Sequence, residues 1–189
     1  MSAATREERR WNRFSDHMNS LHQWFKDEYN TLYELADGSF TKRGWSLSLY
    51  LESARRLNQH LTMHHTIEER HVFPMLAIKM KEFATDSEHL KSHRGIHEGS
   101  FRFDFSFPCQ ELPTFGNSKI WFLPGMDKLQ ELVKKYKKEP STYSPEEMRA
   151  CLDSFRDVLF NHLDQEVDDL KAENLKKHWS LEELEEMNM

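Results

Sequence analysis

Residues 60–74, HLTMHHTIEERHVFP, hold four histidines and two glutamates in one helical-looking stretch of a chain with 11 histidines in all. Imidazoles and carboxylates together form a mixed nitrogen–oxygen donor set that suits iron, manganese or zinc. Which of the six side chains could share a metal follows from the helical period, because each residue turns about 100° from the one before. Measured from Leu61, Glu68 falls roughly 20° away and His64 roughly 60° away on the same side. Glu69 falls about 80° off on the other flank and His60 about 100° off. Glu68 thus lies in the middle of an apolar face, where a carboxylate must be paired, protonated or bound to a cation. His64 and Glu68, four residues apart, stack on one side of the helix as two ligands of one centre require.

The same pair recurs far along the chain. His162 and Glu166 continue the apolar line Leu152, Phe155, Leu159 and precede Leu170, with Glu166 about 20° from the centre of that stripe. Near the start, His22 falls inside the arc of Met18, Phe25 and Tyr29, while His17 falls at its edge. A third segment carries His89, His93 and His97 at every fourth residue, and the ladder alone does not say which two matter. Taken singly, each has a plainer reading: His22 as a core histidine, Glu68 as half of an ion pair with Arg55 or Arg56. His60, His71 and His178 read as rim residues, and His65 and Glu69 as partners beside ligands rather than ligands. Four segments each turning His or Glu inward favour a metal centre.

The elements that must position these residues are helices. Apolar stripes at the helical period run from about Thr5 to Ala36, closed by Asp37-Gly38, and from Ser46 toward Val72, where Pro74 bends or ends the helix. A third helix starts at Asp86 or Ser87, and a fourth follows Ser144-Pro145-Glu146-Glu147, with serine as cap and proline at the first helical position. The tail offers one more short helix capped by Ser180. Only 6 Gly and 6 Pro in 189 residues, with a mean hydropathy of -0.82, favour long helices in a soluble chain. The fold expected is all-α: an antiparallel up-down four-helix bundle with a short C-terminal helix, as one domain over residues 1–189. The net charge of -6 gives no pull toward nucleic acid or an anionic membrane. There is no secretory signal or spanning segment, and two cysteines, Cys109 and Cys151, make no disulfide framework. The expected location is cytoplasmic.

In order along the chain, the pattern is a lone His, then His-x-x-x-Glu, His-x-x-x-His and His-x-x-x-Glu. It resembles the hemerythrin-like, or HHE cation-binding, family. HHTIEERHVFP is similar to that family's HHxxEExxxFP signature, HRGIHEG to its third-helix motif and FNHLDQEV to its fourth, while HQWFKDEYNTLYELADGSFTKRG is close to single-domain fungal members. The resemblance implies His22, His64, Glu68, His93, His97, His162 and Glu166 as ligands of a non-haem centre of two iron ions bridged by the carboxylates, with His89 left outside. It implies binding or sensing of dioxygen, peroxide or nitric oxide; oxidase or peroxidase-like catalysis, iron storage or sensing, and a zinc or manganese site are the alternatives. Oxygen carriers of the family place an Asp five residues after the last His, whereas this chain has Glu166 at four.

Residues 100–125 interrupt the third helix. The stretch SFRFDFSFPCQELPTFGNSKIWFLPG is rich in Phe and Pro. Removing it brings Ile96, Met126, Leu129, Val133 and Tyr136 into one stripe at spacings of 4, 3, 4 and 3. We read it as an insertion, a retained intron translated in frame, against the alternative of a lid built from the alternating Phe101, Phe103, Phe105 and Phe107.

Overall fold

The first apolar stripe forms two helices rather than one, α1 (Ala3–Trp11) and α2 (Arg13–Leu35). The break falls at Asn12, whose side-chain oxygen accepts from Ala172 N–H at 3.0 Å and whose amide donates to Glu8 O at 3.2 Å. A partner 160 residues away turns the chain here, which no local pattern encodes. This computed structural model describes residues 3–84, 87–98 and 125–187. The interruption read at residues 100–125 therefore lies outside the described residues except for Gly125, and so does the lid alternative.

Helix α2 ends where Gly38, at φ 91°, turns the chain and donates to Leu35 O at 3.1 Å. Helix α3 (Leu47–Ile67) opens with the Ser46 hydroxyl accepting from Leu49 N–H at 3.2 Å. It passes into a single π-helical turn, Glu68–Val72, in which Phe73 N–H reaches back five residues to Glu68 O. Pro74 has no N–H to give, and its ring crowds the carbonyl four residues earlier, so the regular ladder cannot run through it. The wider turn absorbs that conflict, and α4 (Phe73–Leu76) follows. Next come α5 (Glu88–Glu98), α6 (Gly125–Lys138) and α7 (Pro145–Asp169), which the Ser144 hydroxyl caps by accepting from Glu147 N–H at 3.1 Å. The chain closes with α8 (Ala172–Leu175) and α9 (Leu181–Glu186), the latter held by a reciprocal Ser180–Glu183 cap. Among the described residues there is no strand, and every regular element is helical.

Helix α2 packs on α3 and α7; α6 packs on α3 and α7; α5 packs on α7 and α6. Ile96, Met126, Leu129, Val133 and Tyr136 are buried in one core, as a stripe running from α5 into α6 requires. Gly125 opens α6 against Phe155, where an added Cβ would lie 2.5 Å from the Phe155 Cβ.

Two cores result. The larger joins Phe25, Tyr29, Leu57, Leu61, Phe155 and Leu159 with the α6 stripe. The smaller gathers Trp11, Phe14, Met18, Phe73, Phe83, Leu170, Leu175, Trp179 and Leu184, from α1, the start of α2, the chain after the π turn, the end of α7 and the two C-terminal helices. Each fully buried side chain of these sizes stabilises the fold by about 1.5–3 kcal/mol. The polar residues of interest lie between the two.

Candidate metal centre

Donor atoms of His22, His64, Glu68 and Glu166 all lie within 4.8 Å of one another, and so do those of His65, Glu68, His93 and His162. Glu68 belongs to both groups, and its exposure is 1% against 0% for Glu166. Glu166 also reaches across: its Oε2 is 3.5 Å from His22 Nε2 and 3.5 Å from His162 Nε2. On its own side Glu68 has Oε1 2.8 Å from His64 Nε2 and Oε2 3.5 Å from His93 Nε2.

The imidazoles are held by their outer nitrogens. His22 Nδ1 donates to Leu163 O at 2.7 Å, which turns its Nε2 lone pair toward His64 Nε2, 2.9 Å away. His93 Nδ1 donates to Glu69 Oε1 at 2.8 Å and directs Nε2 toward His162 Nε2, again 2.9 Å away. Fixing one ring nitrogen on a carbonyl or carboxylate selects the tautomer whose other nitrogen can bind a metal. Glu69, half-exposed on the outer flank of the π turn, fills the partner role expected of it.

The electrostatics of the cluster are those of donors awaiting a cation. No carboxylate oxygen of Glu68 or Glu166 receives a well-directed hydrogen bond among the described residues, nor does His162 Nδ1. No described Lys or Arg pairs with either carboxylate; Arg55, the alternative partner for Glu68, donates its Nε–H to Glu52 at 2.9 Å instead. Burial pushes both carboxyls well above the usual carboxylate range, and the charge of Glu68 adds to the rise at Glu166. Burial, then the neighbouring His64, lowers His22 to about 3. Burial lowers His64 to about 4 and holds His162 well below the ordinary histidine range. Without a cation, burial thus favours the uncharged forms of Glu68, Glu166, His22, His64 and His162. A divalent cation would displace the carboxyl protons and supply the charge that the buried oxygens lack. The residues present fit a metal.

Two recesses approach the cluster from outside. One, of about 110 Å³, is walled by Phe14, Met18, Leu21, Ile67, Val72 and Leu170 and reaches His64 and Glu68. The other, of about 660 Å³, is polar, with Lys81, Ser92, Asn161 and Gln165 among its walls, and reaches His162.

Of the residues expected from sequence, His22, His64, Glu68, His93, His162 and Glu166 come together here. The side chain of His97 lies outside the described residues. His89 belongs to neither donor group, its Nε2 2.9 Å from Asp169 Oδ2, its ring stacked on Phe83 and edge-on to His162 at 5.8 Å. His60 sits half-buried against Trp24 and Glu28, and His71 is exposed. His65, expected only as a partner, is buried with its donor atom in the second group. Its signal was available: His65 falls about 40° from Leu61, nearer the centre of the face than His64.

Helices that bury two histidine–carboxylate groups sharing one glutamate define a helical cation-binding protein. Residues 13–101 match the family described as the hemerythrin HHE cation binding domain. The match takes in α2, α3 and α5 and ends before α7, which brings His162 and Glu166. No curated protein and no solved structure matches the chain. Among the described residues, no helix is long and apolar enough to cross a membrane.

Proposed function

We propose that α2, α3, α5 with α6, and α7 form an antiparallel four-helix bundle around a non-haem centre of two iron ions, and that this centre binds or senses dioxygen or a related small oxidant. The observation that carries the reading is the position of Glu68 and Glu166. Both are buried without a cationic partner, and each lies between histidines of the two groups. In this reading His22, His64, Glu68 and Glu166 hold one ion, and His93, His97 and His162 hold the other with the same two carboxylates. Iron bound there supplies redox capacity and an open position for a small ligand. The chain's own residues do the rest. Leu163 O and Glu69 fix the rings of His22 and His93. Phe25, Leu61 and Leu159 keep one side of the cluster dry. The 110 Å³ apolar recess matches a diatomic or similarly small oxidant, since a water molecule's share of liquid volume is about 30 Å³.

The test is metal analysis of the full chain produced with excess iron, together with its optical spectrum before and after exposure to air. Two irons per chain and a spectrum that changes with oxygen support the proposal. A colourless protein that holds only zinc, or no metal, overturns it.

The single-domain reading takes residues 100–125 as an inserted segment, supported by the shared core of Ile96, Met126, Leu129, Val133 and Tyr136. Sequencing the mature transcript tests it, and a message that retains those codons overturns the intron origin.

A further inference from the structure

His65 has no part in the ligand set just proposed, yet it occupies the interior of the site. Its exposure is 1%, and its donor atom lies within 4.8 Å of those of Glu68, His93 and His162. The ring stacks on His93 with centroids 4.1 Å apart at 21°, and it stands edge-on to His162 at 5.6 Å and 77°. On α3 it precedes Glu68 by three residues, a spacing that puts both on one face, as the four-residue spacing does for His64. Adjacent histidines His64 and His65 thus flank Glu68 from its two sides, one in each donor group.

We propose that His65 is a ligand of the second metal position, donating alongside His93, His162 and the shared Glu68. The proposal rests on the metal-centre reading above and adds a donor to it. Its chemistry follows from the asymmetry of the groups. The first position has two imidazoles and two carboxylates close at hand. The second draws on His93, His162 and Glu68, and a third imidazole from α3 brings it to four described donors. With His97 and the shared carboxylates of the reading above, His65 would give the second position four imidazoles against two at the first, so the two ions would be unequal.

The decisive experiment uses the full chain loaded with cobalt(II), a paramagnetic divalent probe. A coordinated imidazole whose other nitrogen is protonated contributes one hyperfine-shifted, solvent-exchangeable N–H resonance. His65→Phe keeps a ring to stack on His93 and removes both nitrogens. We expect one such resonance fewer than in wild type. We also expect one cobalt-binding step weakened by at least about 10- to 100-fold, the range already seen when a mere hydrogen-bond partner of a ligand is lost, with the other step unchanged. His65→Gln provides the same affinity comparison should the Phe variant fail to fold, as judged by helicity. An unchanged resonance count with two unchanged steps overturns the proposal. Equal weakening of both steps with the count unchanged also overturns it, because His65 then acts only through packing. A wild-type chain that takes up no cobalt or iron fails differently: it overturns the metal-centre reading itself.

Discussion

Exchanging Glu68 for Gln keeps the volume of the side chain and removes its charge, so its effects with and without metal should have opposite sign. Without metal, burial lifts Glu68 and Glu166 well above the usual carboxylate range. Groups raised in this way favour the fold below their ordinary value of 4.5, and that contribution is lost as pH rises through the elevated folded values. His22 and His64, lowered from 6.5 to about 3 and about 4, behave in reverse. Their contribution is full above 6.5 and is lost as pH falls through those low values. The metal-free protein should therefore be most stable between pH 4.5 and 6.5 and weaken on both sides. An uncompensated buried charge costs about 3–5 kcal/mol, and protonation relieves part of it, so Glu68→Gln should stabilise the metal-free protein at pH 8 by about 1–3 kcal/mol. For a chain of this size that is a rise in Tm of about 2–12 °C. Metal at a hundred times its dissociation constant should add about 2.7 kcal/mol to wild type, and the variant should lose most of that gain with the shared carboxylate. Urea and thermal unfolding followed by tryptophan fluorescence at pH 5 and pH 8, with and without metal, read all four states. A metal-free Glu68→Gln protein less stable than wild type at pH 8 would refute the reasoning, because the carboxylate would then have a partner.

Three further substitutions probe the supports of the site. Glu69→Ala removes the acceptor on His93 Nδ1 and should weaken metal binding about 10- to 100-fold by competition titration. Because Glu69 is half-exposed, the metal-free fold should change by less than about 1 kcal/mol in urea unfolding. Gly125→Ala places a Cβ against Phe155 and should cost about 1–3 kcal/mol of overpacking; an unchanged urea midpoint would show that α6 can shift outward. Ser180→Ala deletes the α9 cap and should cost about 1 kcal/mol. Hydrogen exchange should locate that loss in the smaller core, with the amides of α3 and α7 near His64 and Glu166 unaffected.

What the sequence made legible is whatever depends on neighbours within a few turns. The serine caps at positions 46, 144 and 180 are local hydrogen bonds, and each stands where its residue pattern predicts. His64 with Glu68 and His162 with Glu166 follow from periodicity and do converge. Less was legible where a distant partner decides. Asn12 divides the first helix because it serves Ala172 at the far end of the chain. The π turn at Glu68–Val72 answers to Pro74, which predicts an irregularity without fixing its kind. The smaller core is less legible because Phe73, Phe83, Leu175, Trp179 and Leu184, which join Phe14, Met18 and Leu170 there, come from short segments that carry no long stripe. The place of His65 in the second donor group follows from a different spacing. The four-residue spacing of His64 and Glu68 sets one side of the glutamate, and three-residue spacing sets His65 on its other side.

The position of the site between two cores bears on why its donors can stay so poorly satisfied. On α2 the order is Phe14 and Met18, then His22, then Phe25 and Tyr29; on α7 it is Phe155 and Leu159, then His162 and Glu166, then Leu170. On α3 it is Leu57 and Leu61, then His64, His65 and Glu68, with Phe73 beyond the π turn. Each helix therefore crosses from one apolar cluster through a polar belt into the other. Packing at both ends fixes the helices axially, so the belt cannot relax by sliding or splaying, and its nitrogens and oxygens stay converged despite their mutual desolvation. Such a belt weakens the joint between the two cores, because the contacts across it include the Glu68 and Glu166 oxygens, which receive no well-directed hydrogen bond among the described residues. A cation held there would turn the weakest layer into a bond joining α2, α3, α5 and α7 at once. Metal binding should then raise stability most for the smaller core, which joins the larger one through this belt and the helices that span it.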